Sequence, residues 1–229
     1  MKAVLFDLDG TLLWTDGAGR RAIHRALLEV LAIERPAASF RFDGRTDPEI
    51  VELLAAAAGR DHGPDVVASV LRAYVRLLDQ ELSRPGQRTT VYPGVLELLA
   101  ALERRNDCVL GLLTGNVAEG ARLKLRSAGI DIGRFRVGAF GSDHGERNAL
   151  PAIAQRRIRE RLGLELSGHD VVIMGDTPAD VTCGRAIGAR AIAVATGSYS
   201  VPDLIAAGAY TAFTDFSETA AVVASAFAP

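Results

Sequence analysis

Lysine is nearly absent from this chain: of its 26 cationic side chains only Lys2 and Lys124 are lysines. Any chemistry that needs an ammonium group is confined to those two positions, and elsewhere arginine must serve. Cysteine is equally scarce. Cys108 and Cys183 stand far apart, with no CxxC and no Cys/His ligand spacing, which excludes the usual zinc patterns and fits two thiols in a reducing compartment. The formal net charge is only −2, so no strong field gathers nucleic acid or an anionic membrane. No apolar run reaches the roughly 18 residues of a membrane span. The opening MKAVLFDLDG is too short an apolar run for a secretory leader and is broken by aspartates. The expectation is a cytoplasmic protein without nucleic-acid or membrane partners; oligomeric state is not legible. No repeat or low-complexity tract is present.

What the chain has is a core. Hydrophobic residues make up 48% of 229, enough for one large domain or a core carrying a smaller one. Short apolar runs bounded by Gly, Asp or Thr read as strands buried on both faces: Ala3 to Phe6, Val109 to Leu113, Phe135 to Phe140, Val171 to Met174 and Ala191 to Ala195, with Tyr210 to Phe213 as a further short one. Helical spacing fills the gaps over Val95 to Arg105, Ala118 to Ala128, Leu150 to Leu162 and Ala179 to Ile187. Such alternation predicts an α/β fold with a doubly wound parallel sheet. After the first strand it is interrupted. Helical patterns at Ala18 to Leu31, Pro48 to Ala58 and Pro64 to Leu82, with no convincing strand run among them, predict an inserted helical subdomain. Its hinges fall in the turn-rich stretches Leu13 to Gly19 and Arg84 to Pro93. The expected division is a core of residues 1–13 and 91–229 with a helical domain of residues 14–90.

In a doubly wound sheet, ligands bind at the carboxyl ends of the strands. Three such ends carry Asp7 and Asp9, then Thr114-Gly115-Asn116, then Asp176 followed by Asp180. Four converging carboxylates repel one another unless a cation sits among them, and an all-oxygen set suits magnesium. Any single one of these aspartates is also an ordinary helix N-cap, and Asp180 lies in a first helical turn where a carboxylate is favoured anyway. Thr114, Gly115 and Asn116 bring a hydroxyl and backbone N–H groups to a helix start, which is either an anion site or a simple cap. Magnesium beside an anion pocket points to phosphate.

These stretches resemble the haloacid dehalogenase superfamily, in its phosphatase branch. FDLDGTL (residues 6–12) is similar to the first motif, LLTGN (112–116) to the second and MGDTPAD (174–180) to the fourth. TDGAGRRA (15–22) and GRTD (44–47) resemble phosphoglycolate-phosphatase-like members. The resemblance implies a core of strand order 5-4-1-2-3 with a helical cap inserted after the first motif. It implies that Asp7 is the nucleophile, forming an aspartyl-phosphate, and that Asp9 is general acid and then general base. Magnesium would be held by the Asp7 side chain, the Asp9 carbonyl and Asp176, with Asp180 supporting that shell directly or through water. Thr114 and the Gly115 amide would bind the phosphoryl oxygens. The partner would be a small phosphate ester, phosphoglycolate first among the candidates.

The family's third motif usually supplies a lysine, and here that region reads GSDHGERNALPAIA (141–154), without one. Arg147 stands at the corresponding place, and arginine can bind carboxylate or phosphate through two parallel hydrogen bonds. Lys124 is the rival. It lies about 12 Å along a helix from Asn116, and packing or a surface role is the expectation for it; Lys2 is roughly 16 Å from Asp7. On this reading Arg147→Ala loses most turnover and Lys124→Ala keeps it. A phosphonate-cleaving activity needs a cap lysine, which residues 12–93 lack, and a dehalogenase has no use for Asp9 or a metal. A phosphosugar mutase of the same family stays open as an alternative, as does a non-catalytic phosphate- or metal-binding module of the receiver type. Receivers, however, lack both the helical insertion and a second aspartate placed like Asp9. For the leaving group, Arg45 is the first candidate, with Arg20, Arg21 and His24 facing either cleft or solvent. Thr46 and Asp47 are expected to cap the helix beginning at Pro48. Closure of the cap is expected to gate the site.

Overall fold

The computed structural model describes residues 1–34 and 40–228. The first strand, β1 (Lys2–Phe6), is followed by a two-residue strand β2 (Leu13–Trp14) and three helices, α1 (Ala18–Leu31), α2 (Asp47–Ala57) and α3 (Pro64–Leu82). A second two-residue strand β3 (Thr90–Val91) returns the chain to α4 (Val95–Glu103), β4 (Cys108–Thr114), α5 (Ala118–Ser127), β5 (Val137–Phe140), α6 (Leu150–Leu162), β6 (Val171–Gly175), α7 (Pro178–Cys183), β7 (Arg190–Val194), α8 (Val201–Ala206), β8 (Thr211–Phe213) and α9 (Thr219–Ala226).

The main sheet runs β5-β4-β1-β6-β7-β8 and every pairing in it is parallel. Read from β7, the order β7-β6-β1-β4-β5 is the expected one, with β8 added at the edge. Both faces of β1 are covered. Val4 and Phe6 join a cluster with Leu98, Leu102 and Phe216 on one side, while Ala3 and Leu5 join Leu150, Ala154 and Ile158 on the other. This is why the strand reads as a continuous apolar run rather than an alternating one. The chain leaves β1 toward β4 on one side and later returns to β6 on the other, so the switch point of the sheet lies at β1. Phe6 is in register with both Leu112 and Met174. The residues that follow, Asp7, Thr114 and Asp176, therefore emerge side by side.

The inserted helices build a core of their own. Ala22, Ile23, Leu27, Ile50, Leu54, Tyr74 and Leu78 pack together, and Val117 of the main domain completes the cluster. Two corrections concern the hinges and a helix. The insertion was read as free of strands, yet Leu13 pairs with Val91 and Trp14 with Thr90, clasping the two chain crossings. Two residues carry no periodicity, so such a clasp is invisible in sequence. The helix read over Ala179 to Ile187 is α-helical only to Cys183 and continues as a 3-10 turn from Gly184. There the backbone presses on β6: a Cβ on Gly184 would lie 2.5 Å from Ile173. No helix among the described residues is long and apolar enough to cross a membrane.

Candidate active site

Asp7 leaves β1 with its N–H bonded to the Met174 carbonyl at 2.9 Å. Its carboxylate, that of Asp176 and that of Asp180 are buried, and one oxygen from each lies within 4.8 Å of the others. Burial pushes the Asp7 carboxyl up to about 6, with Asp180 and Asp9 adding to the rise and Arg147 and Thr114 opposing it. Asp176 is driven well above the usual carboxylate range by burial, then by Asp180 and Asp7. Such a cluster favours a bound cation. The surroundings of Asp176 fit one. A Cβ on Gly10, whose φ is +86°, would come 2.3 Å from Asp176 Oδ2, and a Cβ on Gly197 would come within 1.8 Å. Only glycine admits the carboxylate there, and only glycine takes that φ without strain.

Asp180 is differently employed. Its Oδ2 accepts from the Thr177 N–H at 3.0 Å and the Thr177 hydroxyl at 2.7 Å, closing a capping box at the start of α7, while Oδ1 pairs with Arg147. With both oxygens engaged, it braces the cluster while keeping one oxygen within 4.8 Å of those of Asp7 and Asp176. Arg147 begins the 3-10 turn Arg147–Ala149 that leads into α6. Its guanidinium is buried between Asp180 and Asp7, with Nη2 3.3 Å from Asp7 Oδ1. Burial works against its charge, but the two carboxylates more than offset that. Its Nε is buried with no hydrogen-bond partner among the described residues.

The expectation for Lys124 does not hold. Its ammonium is neither at the surface nor in passive packing. It donates to Asp9 Oδ2 at 2.5 Å and to Asn116 Oδ1 at 2.6 Å, and the residue is 4% exposed. A helical side chain leans back over the turn before it, and that lean carries Nζ to the helix start. The first turn of α1 comes up against it: a Cβ on Gly19 would be 3.2 Å from Nζ. Asn116 in turn donates to the same Asp9 oxygen at 2.8 Å and to Thr114 Oγ1 at 2.9 Å. The Asn116 side chain thus holds Asp9 while the residue still lines the cavity. The signal that could have found Lys124 is its rarity, one of two lysines, eight residues after Asn116.

The loop before α2 lies directly on this ensemble. Thr46 caps α2, accepting from the Glu49 N–H at 3.2 Å, and its hydroxyl reaches the Gly145 carbonyl at 2.5 Å. Asp47 does not cap its own helix. Its carboxylate accepts from the Val117 N–H at 2.8 Å, capping α5 in the main domain, while its own N–H bonds to the Gly115 carbonyl at 2.8 Å. Gly115 allows this approach, since a Cβ on it would lie 2.1 Å from the Arg45 carbonyl. Arg45 itself pairs with Glu49. Together the two parts enclose a cavity of about 350 Å³, with Asp7, Asp9 and Thr114 on one wall and Arg20, Phe42 and Arg45 on the other. Arg21 turns away to Glu81, and His24 packs edge-on to Phe42.

A family model for haloacid dehalogenase-like hydrolases matches residues 1–188. The phosphoglycolate phosphatase of Rhodospirillum rubrum is 32% identical over 217 residues, covering 94% of this chain and 88% of that protein. That of Nitrosospira multiformis is 29% identical over 86% of this chain and 84% of its own length. A hydrolase from Pseudomonas syringae superposes with a TM-score of 0.74 at 20% identity, covering 97% and 98% of the two chains. With the parallel sheet and the carboxylates at its strand ends, these likenesses establish that the chain belongs to the haloacid dehalogenase-like hydrolases and is a phosphatase of that family.

Proposed function

We propose that the protein is a magnesium-dependent phosphatase of small phosphomonoesters, phosphoglycolate-like in leaving group, working through an aspartyl-phosphate on Asp7. The observation that carries this is the pairing of Asp7 with Arg147 beside Asp9, whose one oxygen is held by Lys124 and Asn116. An Asp7 oxygen attacks phosphorus in line with the ester oxygen. As the ester bond breaks, Asp9 gives its proton to the departing alkoxide. Asp9 then takes a proton from water as that water attacks the phosphoryl group, and the bond to Asp7 breaks to release phosphate. Lys124 and Asn116 both occupy Oδ2 of Asp9, so Oδ1 is the oxygen left for this proton traffic. Thr114 and the Arg147 guanidinium, both lining the cavity, supply donors to the phosphoryl oxygens. The Asp7 and Asp176 side chains and the Asp9 carbonyl would hold magnesium, with Asp180 as a brace; when bound, it neutralises charge on the phosphoryl group. Residues 14–90 act as a cap that closes over the ester and excludes water. The names of the relatives support phosphoglycolate as first substrate.

The test is hydrolysis of para-nitrophenyl phosphate and 2-phosphoglycolate with magnesium, with EDTA, and by Asp7→Asn. Wild type turns over both esters only with metal and gains one phosphoryl group on Asp7 on acid quench; Asp7→Asn does neither. Metal-independent turnover, or none on any phosphate ester, would sink the reading.

A further inference from the structure

The cap wall of the cavity carries charges, and among the described residues those other than Arg20 face a partner. Arg45 pairs with Glu49, and Asp43 with Arg41 at 2.8 Å. On the first cap helix, Arg21 and Arg25 both bind Glu81 at 2.8 Å. Asp47 is turned into the main domain on the start of α5. Arg20 differs. Its guanidinium lies over the Phe42 ring at 4.0 Å, and Nη1 donates to the Phe40 carbonyl at 3.2 Å. Among the described residues no carboxylate pairs with it, and residues 35–39, which precede Phe40, include no Asp or Glu. Neighbouring His24 adds no competing positive charge, since burial and Arg20 both hold its ring toward the neutral form.

An arginine stacked on an aromatic ring and tied down at one nitrogen is preorganised. Its remaining edge, Nε with Nη2, is the planar two-donor fork that matches a carboxylate or phosphoryl group. It lines the same cavity as Asp7 and Asp9. We propose that Arg20 is the residue that selects the leaving group, and that the substrates are phosphate esters whose alcohol part carries a second anionic group, a carboxylate or another phosphoryl. Arg45 lines the same cavity but, unlike Arg20, has a carboxylate partner in Glu49. The inference rests on the phosphatase reading above and adds the chemistry at the far end of the substrate.

The experiment compares wild type, Arg20→Met and Arg45→Met on three magnesium-supplemented substrates: 2-phosphoglycolate, a small sugar bisphosphate, and para-nitrophenyl phosphate, which has no second anion. Arg20→Met is expected to lower kcat/KM on the order of 100-fold for whichever anionic ester wild type prefers, chiefly through KM. Turnover of para-nitrophenyl phosphate stays within about threefold, which also reports that the variant is folded. Arg45→Met is expected to leave the preference between the esters intact. The preferred arm tells carboxylate from phosphoryl. A proportional loss on charged and uncharged esters, or no loss on either, overturns the assignment to Arg20 while leaving the phosphatase reading standing. Absence of wild-type turnover on all three overturns that reading and the assignment with it.

Discussion

At the scale of single residues, two buried cations stand at separate posts among the carboxylates. Arg147 sits on the nucleophile side, between Asp7 and Asp180, and Lys124 sits on Asp9. Their loss should be told apart by leaving group. Arg147→Met removes positive charge from the phosphoryl position, so turnover should fall by about 10²–10³ on every ester. Lys124→Met acts first on Asp9, the residue proposed to deliver a proton. Para-nitrophenol departs without one, so its ester should lose a few-fold, while an alkyl phosphate should lose about 100-fold. Steady-state kinetics on the two esters decides this, and equal loss on both in Lys124→Met would show that Lys124 is not orienting Asp9. This revises the expectation from sequence that Lys124 is dispensable.

At the scale of elements, α1 and α3 are joined by one buried carboxylate. Glu81 is 2% exposed and receives Arg21 and Arg25 at 2.8 Å and Arg84 at 3.2 Å. Burial alone would raise its pKa, but hydrogen bonds from the three arginines overcome that and bring it down to about 2. A folded value below the unfolded one of about 4.5 means that the unfolded chain binds more protons in between. The stabilisation is complete above about 4.5 and disappears as pH falls toward 2. The arginines are partly exposed, so screening reduces the effect. Glu81→Gln should cost about 1–2 kcal/mol in urea denaturation at pH 7 and much less at about pH 3. A cost that does not change with pH would show that packing, not charge, is responsible.

At the scale of the whole molecule, the cap docks on the main domain through Asp47, and this contact stores an electrostatic penalty. Burial pushes Asp47 up to about 6, with Lys124 and the Val117 N–H pulling the other way. Here the folded value lies above the unfolded one of about 3.8, so the folded state holds its proton longer. Stability falls as pH rises from about 4 to about 6. Asp47→Asn keeps an acceptor for Val117 without the charge. It should raise stability by about 1–3 kcal/mol above pH 6, and the gain should vanish near pH 4 in thermal unfolding followed across that range. A gain independent of pH would break the link to the carboxylate.

The apolar runs and their turn-rich boundaries determined the strands, their order of appearance and the presence of a helical insertion, because periodicity and punctuation are local properties of the chain. The spacing of Asp7, Asp9, Thr114, Asp176 and Asp180 at strand ends determined, for the same reason, that these side chains gather at one crevice. Partnerships between distant side chains were not legible. The β2–β3 clasp, the reach of Lys124 to Asp9 and the use of Asp47 to cap α5 each depend on how the cap settles on the main domain. So does the cavity that Arg20 and Arg45 face. Only the tertiary structure decided these, since a long charged side chain can reach several partners and burial selects among them.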